Sequence, residues 1–244
     1  MGANNTALYQ PGDTLDYLVE EYKIALTVCQ ICLCVLGSSG NILTILAVIL
    51  AKHLHRTHNI YIAHLACVDL LINAFLIPTN IYGFQYGIPS NCAVIGAISI
   101  ICLVVSILSL LMVALNRYIL ICKDASTYAR FYNRKTVSVS IVVMWLYACA
   151  LIIPMQSFHA LGWSVKTWYC FFVNYDFSTY IYVSVCMSQL GVVAPAGGTA
   201  LCYVLIMRKM RASAKKLAPK LPTGNNTVTV STLHTGINSY SGKK

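Results

Sequence analysis

The sequence predicts an all-α bundle of five transmembrane helices, and three observations support this. Five apolar runs, Ile24–Ala51, Ile60–Phe84, Ala93–Cys122, Thr136–Phe158 and Phe177–Met207, each exceed the roughly 20 residues a helix needs to cross a bilayer. Charged residues make up 10% of the 244 residues and hydrophobic ones 58%, whereas a soluble domain is about a quarter charged. The runs are also solidly apolar, which excludes the in-and-out alternation of barrel strands of about ten residues.

The order along the chain is a polar, acidic tail (1–22), the helix bundle (23–216) and a cytoplasmic tail (217–244) rich in Thr, Ser, Asn and Gly, whose composition predicts disorder. No apolar signal segment precedes span one, so that span must direct its own insertion. The net charge of +10 is distributed in a way that orients the chain. Asp13, Asp16, Glu20 and Glu21 precede span one. Lys52 and Arg56 lie in loop one, and Lys123, Arg130, Arg134 and Lys135 in loop three. A basic cluster, Arg208 to Lys220, follows span five. Lysine and arginine mark the cytoplasmic side, which places the N-terminus outside and loops one and three and the tail inside. The same charge suits anionic membrane lipid and does not call for nucleic acid. Asn4, in Asn4-Asn5-Thr6, is a glycosylation acceptor on the outer side.

Most of the eleven cysteines fall inside spans, where they behave as small apolar residues, including Cys29, Cys32 and Cys34. Cys92 and Cys170 both lie on the oxidising outer side, either as a bridge holding loop four over span three or as two free loop thiols. Asp69 is the one acid inside a span. It is either a protonated carboxyl tying helices together or a sodium ligand, with Asn41, Ser106 and Ser109 as polar neighbours. Arg117 keeps its charge at the inner end of span three. Pro78, Pro154 and Pro195 each remove a helical hydrogen bond. The run Ala194 to Ala200 is unusually small-sided and implies a helix packed against it. No catalytic motif is present, so no enzymatic activity and no cofactor are expected beyond an allosteric sodium ion. His53, His55 and His58 form a short interfacial loop and not a zinc site.

These landmarks together resemble the rhodopsin-like (class A) G-protein-coupled receptors over about Ile24 to Lys216. Gly40-Asn41, Leu65-Ala66-Cys67-Val68-Asp69, Asn116-Arg117-Tyr118, Trp145, and Pro195 with Tyr203 follow the order of the family's motifs for helices one to five, and Cys92 precedes Arg117 at the family's spacing. The resemblance implies five of the seven helices of such a receptor. It also implies a Cys92–Cys170 disulfide, a sodium site at Asp69, Asn41 and Ser106, and a ligand site at Ser99, Ile100, Leu103, Phe172, Met187 and Gly191. Coupling to a heterotrimeric G protein would run through Asn116, Arg117, Tyr118 and Tyr203. The implied setting is the plasma membrane, with a small extracellular ligand and a receptor dimer as a further partner. Asn116, Ile121-Cys122 with Tyr128 and Tyr132, and Tyr169-Cys170 with Phe172 are similar to melatonin receptors. Gly191 and Met155 depart from them, and Ser99 stands where amine receptors carry an aspartate.

The motifs of the family's sixth and seventh helices have no counterpart after Met207. The expectation is therefore either a receptor whose last two helices lie outside this sequence or a five-span protein that associates with full-length receptors and alters their trafficking.

Overall fold

The computed structural model describes residues 11–54, 57, 59–86, 91–157, 161–164, 169–172 and 176–217. Asn4, His55, Arg56, His58 and the tail beyond Leu217 lie outside them. Five helical spans long and apolar enough to cross a membrane are present: Glu21–Leu50, Asn59–Gly83, Cys92–Cys122, Arg134–Met155 and Met187–Lys215.

Span one belongs to helix α1 (Pro11–Leu50), which starts well before the apolar run. Proline suits a first helical turn because its missing N–H would be unbonded there in any case. A single 3-10 turn, Lys52–Leu54, and the Asn59 amide donating to the Leu54 carbonyl at 2.8 Å close loop one.

Span two is α2 (Asn59–Leu71), a π-helical turn (Ile72–Leu76) and α3 (Ile77–Tyr86). Span three is α4 (Cys92–Cys122). Loop three carries a short helix, α5 (Ala125–Phe131), capped by Asp124 accepting from the Thr127 N–H. Span four is α6 (Arg134–Ser157), begun by Asn133 accepting from the Thr136 N–H at 2.8 Å. Span five runs through α7 (Phe177–Ile181), a long π-helical stretch (Tyr182–Val193) and α8 (Ala194–Leu217). The chain divides into a bundle through Arg208 and a terminal unit from Lys209, of which the basic helical end is described.

One element was not anticipated. Loop four contains an antiparallel hairpin, β1 (Leu161–Ser164) with β2 (Tyr169–Phe172), in which Trp163 pairs with Cys170.

The three span prolines act differently. Both π segments end two residues before a proline, at Leu76 before Pro78 and at Val193 before Pro195. A proline ring crowds the carbonyl four residues back and offers no N–H, and widening the preceding turn relieves the crowding. In the second stretch the Ala194 N–H bonds the Gln189 carbonyl, five residues back. The next such donor would be Pro195, which has none, and the Tyr147 hydroxyl donates to the Leu190 carbonyl at 3.2 Å instead. Pro154, near the end of α6, leaves that helix continuous to Ser157.

Helix α4 forms the centre of the bundle. Ile100, Cys102, Val104 and Val105 are all at most 2% exposed, packed with Val68, Ala148, Ile152 and Met155. Most other large apolar side chains face outward, Leu36, Leu43 and Leu50 of α1 among them. Outward apolar faces are the stable arrangement for helices solvated by hydrocarbon, where association comes from close packing and not from expulsion of water. Two glycines provide that closeness. A Cβ on Gly37 would lie 2.5 Å from Asn73 Oδ1, and one on Gly96 would lie 2.9 Å from the Cys170 carbonyl oxygen. Gly198 rests against Leu111 of α4, while a Cβ on Gly197 would meet nothing, so only part of the small-sided run is covered within the described bundle.

Gly96→Ala should therefore lower stability by about 1–3 kcal/mol through overpacking against backbone. Gly40→Ala, where the added Cβ meets nothing, should be neutral or stabilising by up to about 1 kcal/mol. Thermal unfolding of the two variants in detergent checks the contrast; equal midpoints would mean that the hairpin yields freely.

Candidate functional site

At the end of the bundle where loop four emerges, the hairpin is held over the helices from three directions. Cys170 is bridged to Cys92 at the start of α4, with Cα atoms 5.2 Å apart. The buried Asn80 side chain of α3 accepts from the Cys170 N–H at 3.4 Å while donating to the Leu76 carbonyl at 2.9 Å. Gln30 of α1 donates to the Tyr169 hydroxyl at 3.1 Å. Burial raises the Tyr169 phenol above its ordinary pKa, and the Gln30 bond opposes this.

Two cavities lie beneath the hairpin. The first, about 220 Å³, sits between spans three and five against Ile100, Leu103, Val104, Phe172, Met187 and Ser188. The second, about 250 Å³, lies between spans two and three, with Leu76, Asn80, Ser99, Leu103 and Tyr169 among its walls. Leu103 and Phe171 border both. Ile100, Leu103, Phe172 and Met187 thus meet in one cavity, while Ser99 faces the other. Gly191 lies behind the first cavity, where a Cβ would touch Val104 and Leu151. Asn80, Phe171 and Ser188 were not singled out from sequence, and Tyr169 was noted only for its place beside Cys170, because loop and helix-face geometry decides which side chains reach a cavity. No side chain bordering the first cavity carries a charge.

In the middle of the bundle, Ser106 donates to Asp69 Oδ1 at 2.8 Å. Asn41 does not join them; its amide donates to the Gly37 carbonyl of its own helix at 2.9 Å. Deeper lies a network that the sequence reading missed. The Trp145 indole donates to His64 Nε2 at 3.0 Å, and His64 Nδ1 lies 3.1 Å from Ser109 Oγ. The Ser109 hydroxyl donates to the Val105 carbonyl at 2.7 Å, so it must accept from His64. Every proton is therefore assigned: His64 is neutral, with its hydrogen on Nδ1. One imidazole joins spans two, three and four. The signal was available, since an ionisable ring inside a span is as informative as Asp69.

At the opposite end, Asn116 is 2% exposed, and its Oδ1 has no hydrogen-bond partner among the described residues. Arg117 is exposed and Tyr118 is half-buried. Tyr203 is exposed on α8, and no hydrogen bond or ring contact joins it to Arg117 among the described residues. Three other tyrosines pack together. Tyr132 stacks on Tyr128 with ring centroids 5.2 Å apart and meets Tyr61 edge-on at 6.4 Å, and the Tyr61 hydroxyl lies 2.6 Å from Ser140 Oγ. Burial raises the phenols of Tyr132 and Tyr128, in the latter against the pull of the Arg117 guanidinium.

A bridged loop roofing an apolar cavity, a half-buried carboxyl at mid-depth and an Asn-Arg-Tyr sequence near the far end of the central helix are landmarks of the seven-helix membrane receptors. The family described as 7 transmembrane receptor (rhodopsin family) matches residues 40–235, and the chain belongs to that family. It is a multi-pass membrane protein. It is 26% identical over 190 residues to melatonin receptor type 1B-A of Danio rerio, covering 75% of this chain and 65% of that receptor's length.

His64→Leu would leave both the Trp145 N–H and the Ser109 hydroxyl without their partner, at a cost of about 1–3 kcal/mol each. The expected result is a lower melting temperature in detergent, and an unchanged one would mean that the imidazole bridge contributes nothing.

Proposed function

We propose that this chain forms the ligand-binding and coupling part of a receptor that takes an uncharged small molecule from outside the cell and signals to a heterotrimeric G protein. The observation that carries this reading is the cavity between spans three and five, roofed by a hairpin bridged to span three. Its walls are aliphatic and aromatic, with Ser188 as a polar contact. A charged ligand buried there would lose its hydration without gaining a counter-ion. A neutral, flat, largely apolar ligand loses little, and Phe171 and Phe172, with centroids 4.4 Å apart, offer ring contacts. The relative's name makes melatonin the first probe, although Gly191 and Met155, which depart from the melatonin-receptor pattern, lie behind the cavity and in the core beside it. The outward-to-inward orientation rests on the distribution of Lys and Arg.

Ligand binding would shift a two-state helix bundle by its differential affinity for the two states. Arg117, exposed at the inner end beside loop three, is the group that would meet the G protein. Asn116 carries no charge, so the resting state lacks an ion pair between this position and Arg117. Asp69 and Ser106 supply two hard oxygen donors that suit a small cation such as sodium, whereas Asn41 is turned away.

Two experiments test the reading, both in cells carrying the receptor with all seven helices. In the first, Leu103→Trp should fill the space shared by the two cavities and weaken radioligand binding at least about tenfold, or about 1.4 kcal/mol, with surface expression retained. Asp69→Asn should remove any sodium dependence of that binding. Unchanged affinity in the first variant would place the ligand elsewhere, and unchanged sodium dependence in the second would dismiss the ion. In the second experiment, Asn116→Asp should lower basal signalling by giving Arg117 a resting partner. Unaltered basal signalling would show that the missing charge does not matter.

A further inference from the structure

Arg117 is exposed and has no carboxylate partner among the described residues, and the buried Asn116 beside it has no charge to offer. Tyr128 is placed to acquire that missing charge. It lies one turn into α5, the 7-residue helix of loop three, and only Lys123 and Asp124 separate α5 from the end of α4. The short link folds α5 back onto α4, the helix that carries Arg117. The Tyr128 phenol lies within the field of the Arg117 guanidinium. Its ring is held in place by the stack on Tyr132, with centroids 5.2 Å apart.

Tyr128 also differs from its neighbours in how it can be reached. Tyr61 and Tyr132 are buried, at 1% and 9% exposure. Tyr118 and Tyr203 lie within spans three and five. Tyr128 is half-buried and stands in a loop. A helix of 7 residues is too short to be stable by itself, so α5 can open to present the side chain to an enzyme. Lysine and arginine place loop three on the cytoplasmic side, where nucleoside triphosphates and protein kinases are found.

Transfer of a γ-phosphoryl group to the Tyr128 phenol oxygen forms a phosphate ester. The bond to the departing nucleoside diphosphate breaks, and the phenolic proton leaves to solvent. The ester carries about −1.5 to −2 charges at pH 7 and three acceptor oxygens, which suit the two-pronged donor geometry of a guanidinium. The carboxylate closest in sequence, Asp124, is engaged by Ser126 and Thr127 at the start of α5. Lys123 and Arg130 are exposed on the same loop and add to the attraction.

We propose that Tyr128 is a tyrosine-phosphorylation site whose phosphate pairs with Arg117 and withdraws that arginine from the G protein. The site and the pairing stand apart from the proposed function. The withdrawal rests on the reading of Arg117 as the coupling residue.

Three measurements test this. Phosphopeptide mapping of the full chain, from cells treated with pervanadate to block tyrosine phosphatases, should find phosphate on Tyr128 and not on the buried Tyr132. An unmodified Tyr128 would overturn the site. The second measurement is a ³¹P NMR titration in detergent, with phosphotyrosine installed in place of Tyr128 by amber suppression. The second ionisation of the phosphate, ordinarily near about 6, should fall by about one unit beside an arginine. Arg117→Gln should restore it, and Arg130→Gln, on the same short helix, should leave it lowered. An unshifted ionisation, or equal effects from the two glutamine variants, would overturn the pairing. Lastly, in cells carrying the receptor with all seven helices, pervanadate should lower basal signalling, and Tyr128→Phe should remove that drop. A lowered ionisation with unchanged signalling would overturn the withdrawal and count against Arg117 as the coupling residue, while leaving the phosphorylation site in place.

Discussion

The absence of water in the hydrocarbon layer is the constraint on which the rest of this structure depends. Each backbone or side-chain polar group in a span must find its partner within the protein. The consequences are visible wherever the helices depart from regularity. Pro195 cannot supply the N–H that the π-helical ladder calls for, and Tyr147 of the neighbouring span supplies an O–H to the Leu190 carbonyl. Tyr182 of span five donates in return to the Leu151 carbonyl of span four at 2.8 Å, within one turn of Pro154. Spans four and five are therefore joined by two hydroxyls placed close to the prolines. The His64 network follows the same logic, with a donor for each acceptor across three helices. Because each partner is fixed, the imidazole has one tautomer and the three spans have one register.

The outer end depends on a single covalent link and on one missing side chain. The Cys92–Cys170 bridge brings β2 to the top of α4, and Gly96, one turn below Cys92, leaves room for the Cys170 carbonyl to lie against the helix. Any side chain at that position would lift the hairpin. Phe171 of the hairpin borders both cavities and Phe172 the first, with Ser188 as the polar neighbour in the first and Asn80 and Ser99 in the second. Where the bridge anchors the loop thus decides which hairpin rings border each cavity.

Much of this was legible in the sequence, because spans in a bilayer are written as length and hydropathy, which need no tertiary information. The five runs and the position of Arg117 follow from local composition and sidedness, whereas sidedness left Cys92 and Cys170 open between a bridge and free thiols, and the family resemblance implied the bridge that is present. What escaped were features set by helix rotation and loop geometry. Asn41 and Asp69 look like partners in order along the chain, but Asn41 bonds its own helix. Gly191 lies on the right helix but turns toward Val104 and Leu151. The hairpin was missed because a loop with several aromatic residues between two spans carries little periodicity. His64 was legible as an ionisable ring inside a span, but its partners Trp145 and Ser109 are set by the rotation of two other helices.

The inner end shows how a bundle can hold its central arginine without a neighbouring acid. Asn116 is buried and uncharged, so it cannot fix Arg117 by charge. The tyrosine cluster provides a different restraint. Tyr132 is packed between Tyr61 of span two and Tyr128 of α5, and Tyr61 is tied to Ser140 of span four. Loop three is thereby attached to two spans by ring packing and one hydrogen bond, and Arg117 lies close enough to Tyr128 to act on its phenol. A restraint made of stacked rings differs from an ion pair in a useful way: it limits where the loop can go without neutralising the arginine. The guanidinium is exposed and has no carboxylate partner among the described residues.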